Sequence, residues 1–316
     1  MELSAALAAG LRDRLFSGAS AVSSTPGAPV QRAVAGTLAH DDPTPVTAAT
    51  RFDLASLTKV FTATVVHSLA EVGALDLDRP TERGFTIGQL LAHTSGLPAV
   101  SDVWRRTDLR PAQRLQRALD APLESAPGAE FRYSCVGYVT AGHLAEEATG
   151  QGLDSLLEEF VTHPLGLGGP LFWPVAEPVP ATETGTPRGV VHDEFAASLR
   201  RPAGNAGLFG TAEEVHALGR GLLERTLLSE GSWRRMSSGE GLRVGDPSWM
   251  PTPDHLGHTG FTGTSLLLDP VRGTCRVLLT NRVHPDRSRV DLTGFRKSVA
   301  QCPSPPTRSG HGRRDP

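Results

Sequence analysis

Ser56-Leu57-Thr58-Lys59 sets a hydroxyl three residues before an amine. The stretch stands where the extended, β-prone Thr50-Arg51-Phe52-Asp53-Leu54 passes into Lys59-Val60-Phe61-Thr62-Ala63-Thr64-Val65-Val66, a run of helical character. Residues three apart on a helix share a face, with Cβ atoms about 5–6 Å apart. The unpaired N–H groups of a helix start also favour negative charge. A serine hydroxyl is a weak nucleophile until a neighbouring base activates it, and a partly desolvated lysine helps to supply one. Taken alone the pair is common, and an ordinary surface serine and lysine would give the same spacing.

Two distant segments add to it. Pro127-Gly128-Ala129-Glu130-Phe131-Arg132-Tyr133-Ser134-Cys135 brings a phenol, and Gly257-His258-Thr259-Gly260-Phe261-Thr262-Gly263 brings an imidazole among glycines. The order S-x-x-K, Y-S-x, H-T-G resembles the serine penicillin-recognising family: class C β-lactamases, D-alanyl-D-alanine peptidases, and related esterases and D-aminopeptidases. Leu90-Leu91-Ala92-His93-Thr94-Ser95-Gly96-Leu97-Pro98 is similar to another segment of that family. So is the glycine-rich Ala206-Gly207-Leu208-Phe209-Gly210-Thr211 before a helix.

The resemblance implies roles. Ser56 attacks an acyl carbonyl, Lys59 stabilises or takes up its proton, and Tyr133 acts as shared base and then as acid for the leaving group. A phenol of ordinary pKa near 10 is a useful base only where a cation favours its anion. The oxyanion lies against the N–H groups of Ser56 and of Phe261 on an edge strand, each donor worth about 3–4 kcal/mol of barrier. Gly260 is expected to leave room for substrate beside that strand, with His258, Thr259 and Cys135 completing the substrate side.

Two departures bear on substrate. Cys135 stands where the family usually has asparagine, and a thiol is a much weaker donor than an amide. His258 replaces the usual lysine, so a fixed cation for a substrate carboxylate is less assured. Both changes suit an ester better than a β-lactam or a D-alanyl peptide. The expectation is a serine hydrolase of small-molecule acyl compounds (a carboxylesterase or transacylase) needing no cofactor. β-Lactamase or D-alanyl peptidase activity is the alternative, and a non-catalytic binding or sensor protein is the alternative of another class.

The elements needed to position these groups follow from pattern. Leu3, Leu7, Leu11 and Leu15 repeat as one side of an amphipathic helix. Residues 17–29 read as a loop, and residues 30–39 and 45–54 as two strands. The Ser56 helix runs to Val72, where Gly73 closes it. Thr86 and Thr211 open capping boxes with Gln89 and Glu214. Strands at 255–261, 264–269 and 274–280 precede a last helix at 292–299. The fold class expected is α/β: an antiparallel sheet from both chain ends, flanked by helices, with an inserted helical lobe. The lobes are residues 1–80 with 210–302, and residues 81–209; residues 303–316 read as a disordered tail.

Composition limits the rest. A net charge of −3 and a pI near 6.4 leave no basic footprint for nucleic acid. No apolar run reaches the ~20 residues of a membrane span. The acidic N-terminus lacks the basic region of a secretory signal, and Cys135, Cys275 and Cys302 lack metal or disulfide spacing. Together these suggest a cytoplasmic setting. His93 reads as a structural histidine. His192-Asp193-Glu194 has no metal-ligand spacing, and Cys135 by itself reads as a packing residue. Oligomeric state is not legible.

Overall fold

In the computed structural model, which describes residues 2–288 and 290–303, both chain ends enter one antiparallel sheet. The strands are β1 (Gly18–Ser24), β2 (Gln31–Gly36), β3 (Phe52–Asp53), β4 (Leu171–Phe172), β5 (Leu208–Gly210), β6 (Arg243–Val244), β7 (Leu256–Thr259), β8 (Ser265–Asp269) and β9 (Thr274–Thr280). The large sheet runs β2-β1-β9-β8-β7-β6, and β3-β5-β4 form a small second sheet. The helices are α1 (Leu3–Arg12), α2 (Thr58–Glu71), α3 (Ile87–Leu91), α4 (Pro111–Leu119), α5 (Cys135–Thr149), α6 (Leu153–Leu157), α7 (Glu194–Leu199), α8 (Ala212–Glu224), α9 (Glu230–Ser237) and α10 (Thr293–Ala300). The expected architecture, an antiparallel sheet from both ends with helices packed on it, is the one observed. The tail expected to be disordered lies, from residue 304 on, outside the described residues.

Side-chain alternation separates two cores. Ala19, Ala21 and Leu278 face α1 through Leu3, Ala6 and Leu7. Val22, Val277 and Leu279 face the larger core with Val215, Leu218 and Leu222 of α8. Each fully buried leucine or valine contributes about 1.5–3 kcal/mol. Gly219 lets α8 press onto β9, because a Cβ there would lie 2.5 Å from Cys275 Sγ. The β8–β9 hairpin is tied by Asp269 Oδ1, which accepts from the Val271 and Arg272 N–H groups at 3.1 and 3.0 Å.

Two expectations fail here. The Ser/Ala-rich segment read as a loop contains β1, an interior strand paired with β2 and β9 and buried along its whole length. Its small residues make room for helices on both faces. Of the strand expected over 45–54, only Phe52 and Asp53 are strand. Both capping boxes are present, at Thr86/Gln89 and Thr211/Glu214.

The site hangs on α2. All its residues from Thr58 to Leu69 are buried, as befits a helix enclosed by neighbours on every side. Helices α5, α6 and α9 pack around it. Among the described residues no helix is long and apolar enough to cross a membrane.

Candidate active site

Ser56 sits on a sharp turn between β3 and α2. Leu54 N–H closes the strand on Leu208 O at 2.9 Å. Ala55 then adopts φ +47°, a left-handed conformation that costs a residue with a Cβ about 1–2 kcal/mol. Ser56 therefore lies in a one-turn 3-10 segment, Ala55–Leu57, just ahead of the helix rather than on it. In 3-10 geometry residues three apart eclipse, so the expected pairing survives.

Lys59 is 0% exposed and spends its ammonium inside the protein. Nζ donates to Ser56 Oγ at 3.1 Å, to Asn205 O at 2.9 Å and to Cys135 Sγ at 3.5 Å. An ammonium has three donors, and the Tyr133 side chain adds a fourth partner to these three acceptors. Burial opposes the charge, but the negative poles of Cys135 and then Tyr133 outweigh it and hold the lysine above its ordinary value. Lys59 is a cation at neutral pH.

Tyr133 flanks that cation, with its ring centroid 5.0 Å from Nζ. Its placement follows from the start of α5. Ser134 caps the helix by accepting from Gly137 N–H at 2.8 Å and donates to Pro98 O at 2.7 Å. His93 Nδ1 accepts from Ser134 N–H at 3.0 Å, and its ring lies between Tyr133 and Tyr138, at 4.6 and 5.0 Å. Burial, and then Lys59, push its pKa down to about 2, so it is the neutral structural histidine expected. Cys135 is buried as the packing reading requires, but its thiol faces the lysine.

The opposite wall is the end of β7. His258 Nδ1 faces Thr259 O at 2.9 Å, which requires Nδ1 to carry the proton. Nε2 is then a buried lone pair without a hydrogen-bond partner among the described residues. Burial, followed by Lys59, drives its pKa down to about 3, so residue 258 supplies no cation at physiological pH. Phe261 lies two residues past the strand, in a turn and half exposed, rather than on the strand as expected. The reason for Gly260 also differs from expectation. A Cβ there would sit 2.0 Å from Thr264 Oγ1 and 2.5 Å from Leu54 O, so the glycine lets β7 close against the Ser56 turn.

Ser56, Tyr133, His258, Thr259, Gly260 and Phe261 line one cavity of about 370 Å³. Arg243, Arg282 and Arg296 line it too. Arg296 is lowered to about 10 by burial and then by Arg282, and stays charged at neutral pH. Sequence reasoning missed these arginines, because no motif spacing connects them to Ser56. It also missed Asn205 and Asp53. Asp53 accepting from the N–H two residues on is an Asx-type turn, a signal present in the sequence. The run His192-Asp193-Glu194 is used structurally: His192 N–H binds Asp53, Asp193 caps α7 and Glu194 pairs with Arg287.

A model of the β-lactamase family matches residues 3–301. A protein of Escherichia coli strain K12 named "Putative D-alanyl-D-alanine carboxypeptidase" is 30% identical, over 79% of this chain and 73% of its own. A crystal structure of SurE is similar at 26% identity with a TM-score of 0.73, covering 88% of this chain and 71% of that one. The octameric penicillin-binding protein homologue from Pyrococcus abyssi shares the fold, with a TM-score of 0.74 at 20% identity over 90% and 74% of the two chains.

Proposed function

This chain belongs to the β-lactamase family, and from that premise we propose that it is a serine hydrolase working through an acyl-enzyme on Ser56, with esters or small amides as substrates. The observation that carries the reading is the 3.1 Å bond from a fully buried Lys59 to the Ser56 hydroxyl. A lysine held charged is not the resting base. Tyr133, acting as an anion beside that cation, takes the Ser56 proton as Oγ bonds to the acyl carbon. Tyr133 returns that proton to the leaving oxygen or nitrogen as the old acyl bond breaks. Water then attacks the ester, with Tyr133 passing its proton back to Oγ. Ser56 N–H and Phe261 N–H serve as oxyanion donors.

The uncharged His258 favours substrates that need no cation at that position, hence esters such as those of a carboxylesterase or transacylase. A second reading has support of its own. Arg243, Arg282 and Arg296 line the cavity, and the Escherichia coli relative carries a D-alanyl-D-alanine carboxypeptidase name. Those arginines could receive a carboxylate, as a D-alanyl peptide or a β-lactam presents one. The cysteines Cys135, Cys275 and Cys302 are free and buried, which supports a reducing, cytoplasmic setting.

The test is a panel of a short-chain aryl ester, a chromogenic cephalosporin and a D-alanyl amide, on wild type and His258→Lys. The ester is expected to turn over fastest in wild type, and His258→Lys to shift preference toward carboxylate-bearing substrates. Faster cephalosporin than ester turnover in wild type reverses the choice between the two readings.

A further inference from the structure

Asp53 stands outside the cluster around Lys59, yet its carboxylate is buried and receives two backbone N–H groups from different parts of the chain. Oδ1 accepts from Ala55 N–H at 2.8 Å, and Oδ2 from His192 N–H at 2.7 Å. The first bond fastens Ala55 in its left-handed conformation, and the peptide after Ala55 carries the Ser56 N–H. The second fastens His192, whose ring stacks on Phe261 with centroids 5.8 Å apart and planes at 18°. The backbone around Asp53 joins the same assembly. Thr262 Oγ1 donates to Asp53 O at 2.7 Å and Thr264 Oγ1 to Leu54 O at 2.9 Å.

We propose that Asp53 is a positioning residue that holds the two oxyanion donors in register, clamping the left-handed turn before Ser56 to the segment that braces Phe261. This rests on the reading above, in which the N–H groups of Ser56 and Phe261 receive the oxyanion. A carboxylate suits the task because it accepts at both oxygens. A protonated carboxyl would turn an O–H toward one of the two N–H groups and lose that bond.

The groups facing Asp53 set when this happens. His192 lies across it and favours its charge, Asp193 beside α7 opposes it, and behind His192 stands the Glu183–Arg287 pair. From β5 its strand partner is Phe209, and from the β7–β8 turn come the hydroxyls of Thr262 and Thr264, all uncharged. Burial outweighs the two N–H bonds and pushes the carboxyl up to about 6. The clamp is therefore complete above that pH and weakens as pH falls through it. The contribution to stability has the opposite sign: a carboxyl whose folded value exceeds its unfolded one favours folding when protonated, so stability declines as pH rises between about 4 and 6. A purely structural residue would not separate turnover from stability in this way.

The test is aryl-ester kinetics against pH for wild type, Asp53→Asn, Ala55→Gly and the double variant. Asp53→Asn should lower kcat about tenfold or more, leave KM within about twofold, and flatten the acid limb near pH 6. Ala55→Gly on that background should recover most of the loss, since glycine adopts a positive φ freely. Should Asp53→Asn fail to fold, Ala55→Gly alone decides, and its acid limb should be shallower than that of wild type. A wild-type kcat in Asp53→Asn, an unchanged acid limb in Ala55→Gly, or no recovery in the double variant overturns the proposal. Turnover independent of Ser56 would instead remove the reading beneath it.

Discussion

Lys59 reaches the Ser56 hydroxyl and the Cys135 thiol with one ammonium, at 3.1 and 3.5 Å. The residue in the usual asparagine position is thus a direct neighbour of Lys59 as well as a candidate substrate contact.

Cys135→Ala tests that neighbour. Burial lowers the Lys59 pKa, and Cys135 is the foremost influence raising it. Without the thiol the lysine should lose its proton at lower pH, so the alkaline limb of kcat/KM should move down. A limb that stays in place removes Cys135 from the electrostatics of the site.

Arg296→Gln asks whether the arginine-lined wall binds substrate carboxylates. Arg296 Nη2 donates to Gly260 O at 2.8 Å and Thr264 O at 3.2 Å, and the Asp291 carboxylate, which lines the same cavity, favours its charge. The loss in kcat/KM should be on the order of tenfold greater for a carboxylate-bearing ester than for its uncharged counterpart. Equal losses would mean that Arg296 only braces the turn between β7 and β8.

Gly260→Ala should be costly in two ways. Its Cβ would collide with Thr264 Oγ1 and Leu54 O, at 2.0 and 2.5 Å. Unfolding midpoints should report about 1–3 kcal/mol of lost stability, and ester turnover should fall because the Ser56 turn must shift. Wild-type turnover in this variant would show that β7 can retreat without disturbing Ser56.

Acid should weaken the fold through buried neutral histidines. Burial lowers His93 to about 2, His258 to about 3 and His216 to about 4. Their unfolded values lie near 6.5. The unfolded chain then binds more protons, so stability falls as pH drops below about 6.5, by up to ~1.4 kcal/mol per unit for each histidine. His216→Gln, which loses the 2.7 Å contact with Ser24 Oγ, should show a smaller fall in urea midpoint between pH 7 and 5. An equal fall would assign the acid sensitivity elsewhere.

How much was legible depends on what kind of signal each feature leaves. Ser56 and Lys59 show through spacing, and the β8–β9 hairpin shows through apolar residues around Pro270-Val271-Arg272-Gly273. Strand β1 does not, because Ala19, Ser20 and Ala21 have weak strand preference and are fixed by β2, β9 and the helices on either side. Ala55 and Asn205 were equally hidden. One acts through a backbone angle and the other through a main-chain carbonyl, and neither leaves a side-chain pattern. Arg282, just past β9, and Arg296, on α10, reach the cavity by donating to the main-chain oxygens of Phe261 and Gly260, contacts that leave no spacing in the sequence.

The central claim is that an acyl group is carried by the oxygen of residue 56. Intact-mass and peptide analysis after treatment with a fluorophosphonate, alongside aryl-ester turnover in Ser56→Ala, measures this directly. The account predicts one adduct, on Ser56, and no labelling or turnover in the variant. Ester turnover that persists in Ser56→Ala would contradict it.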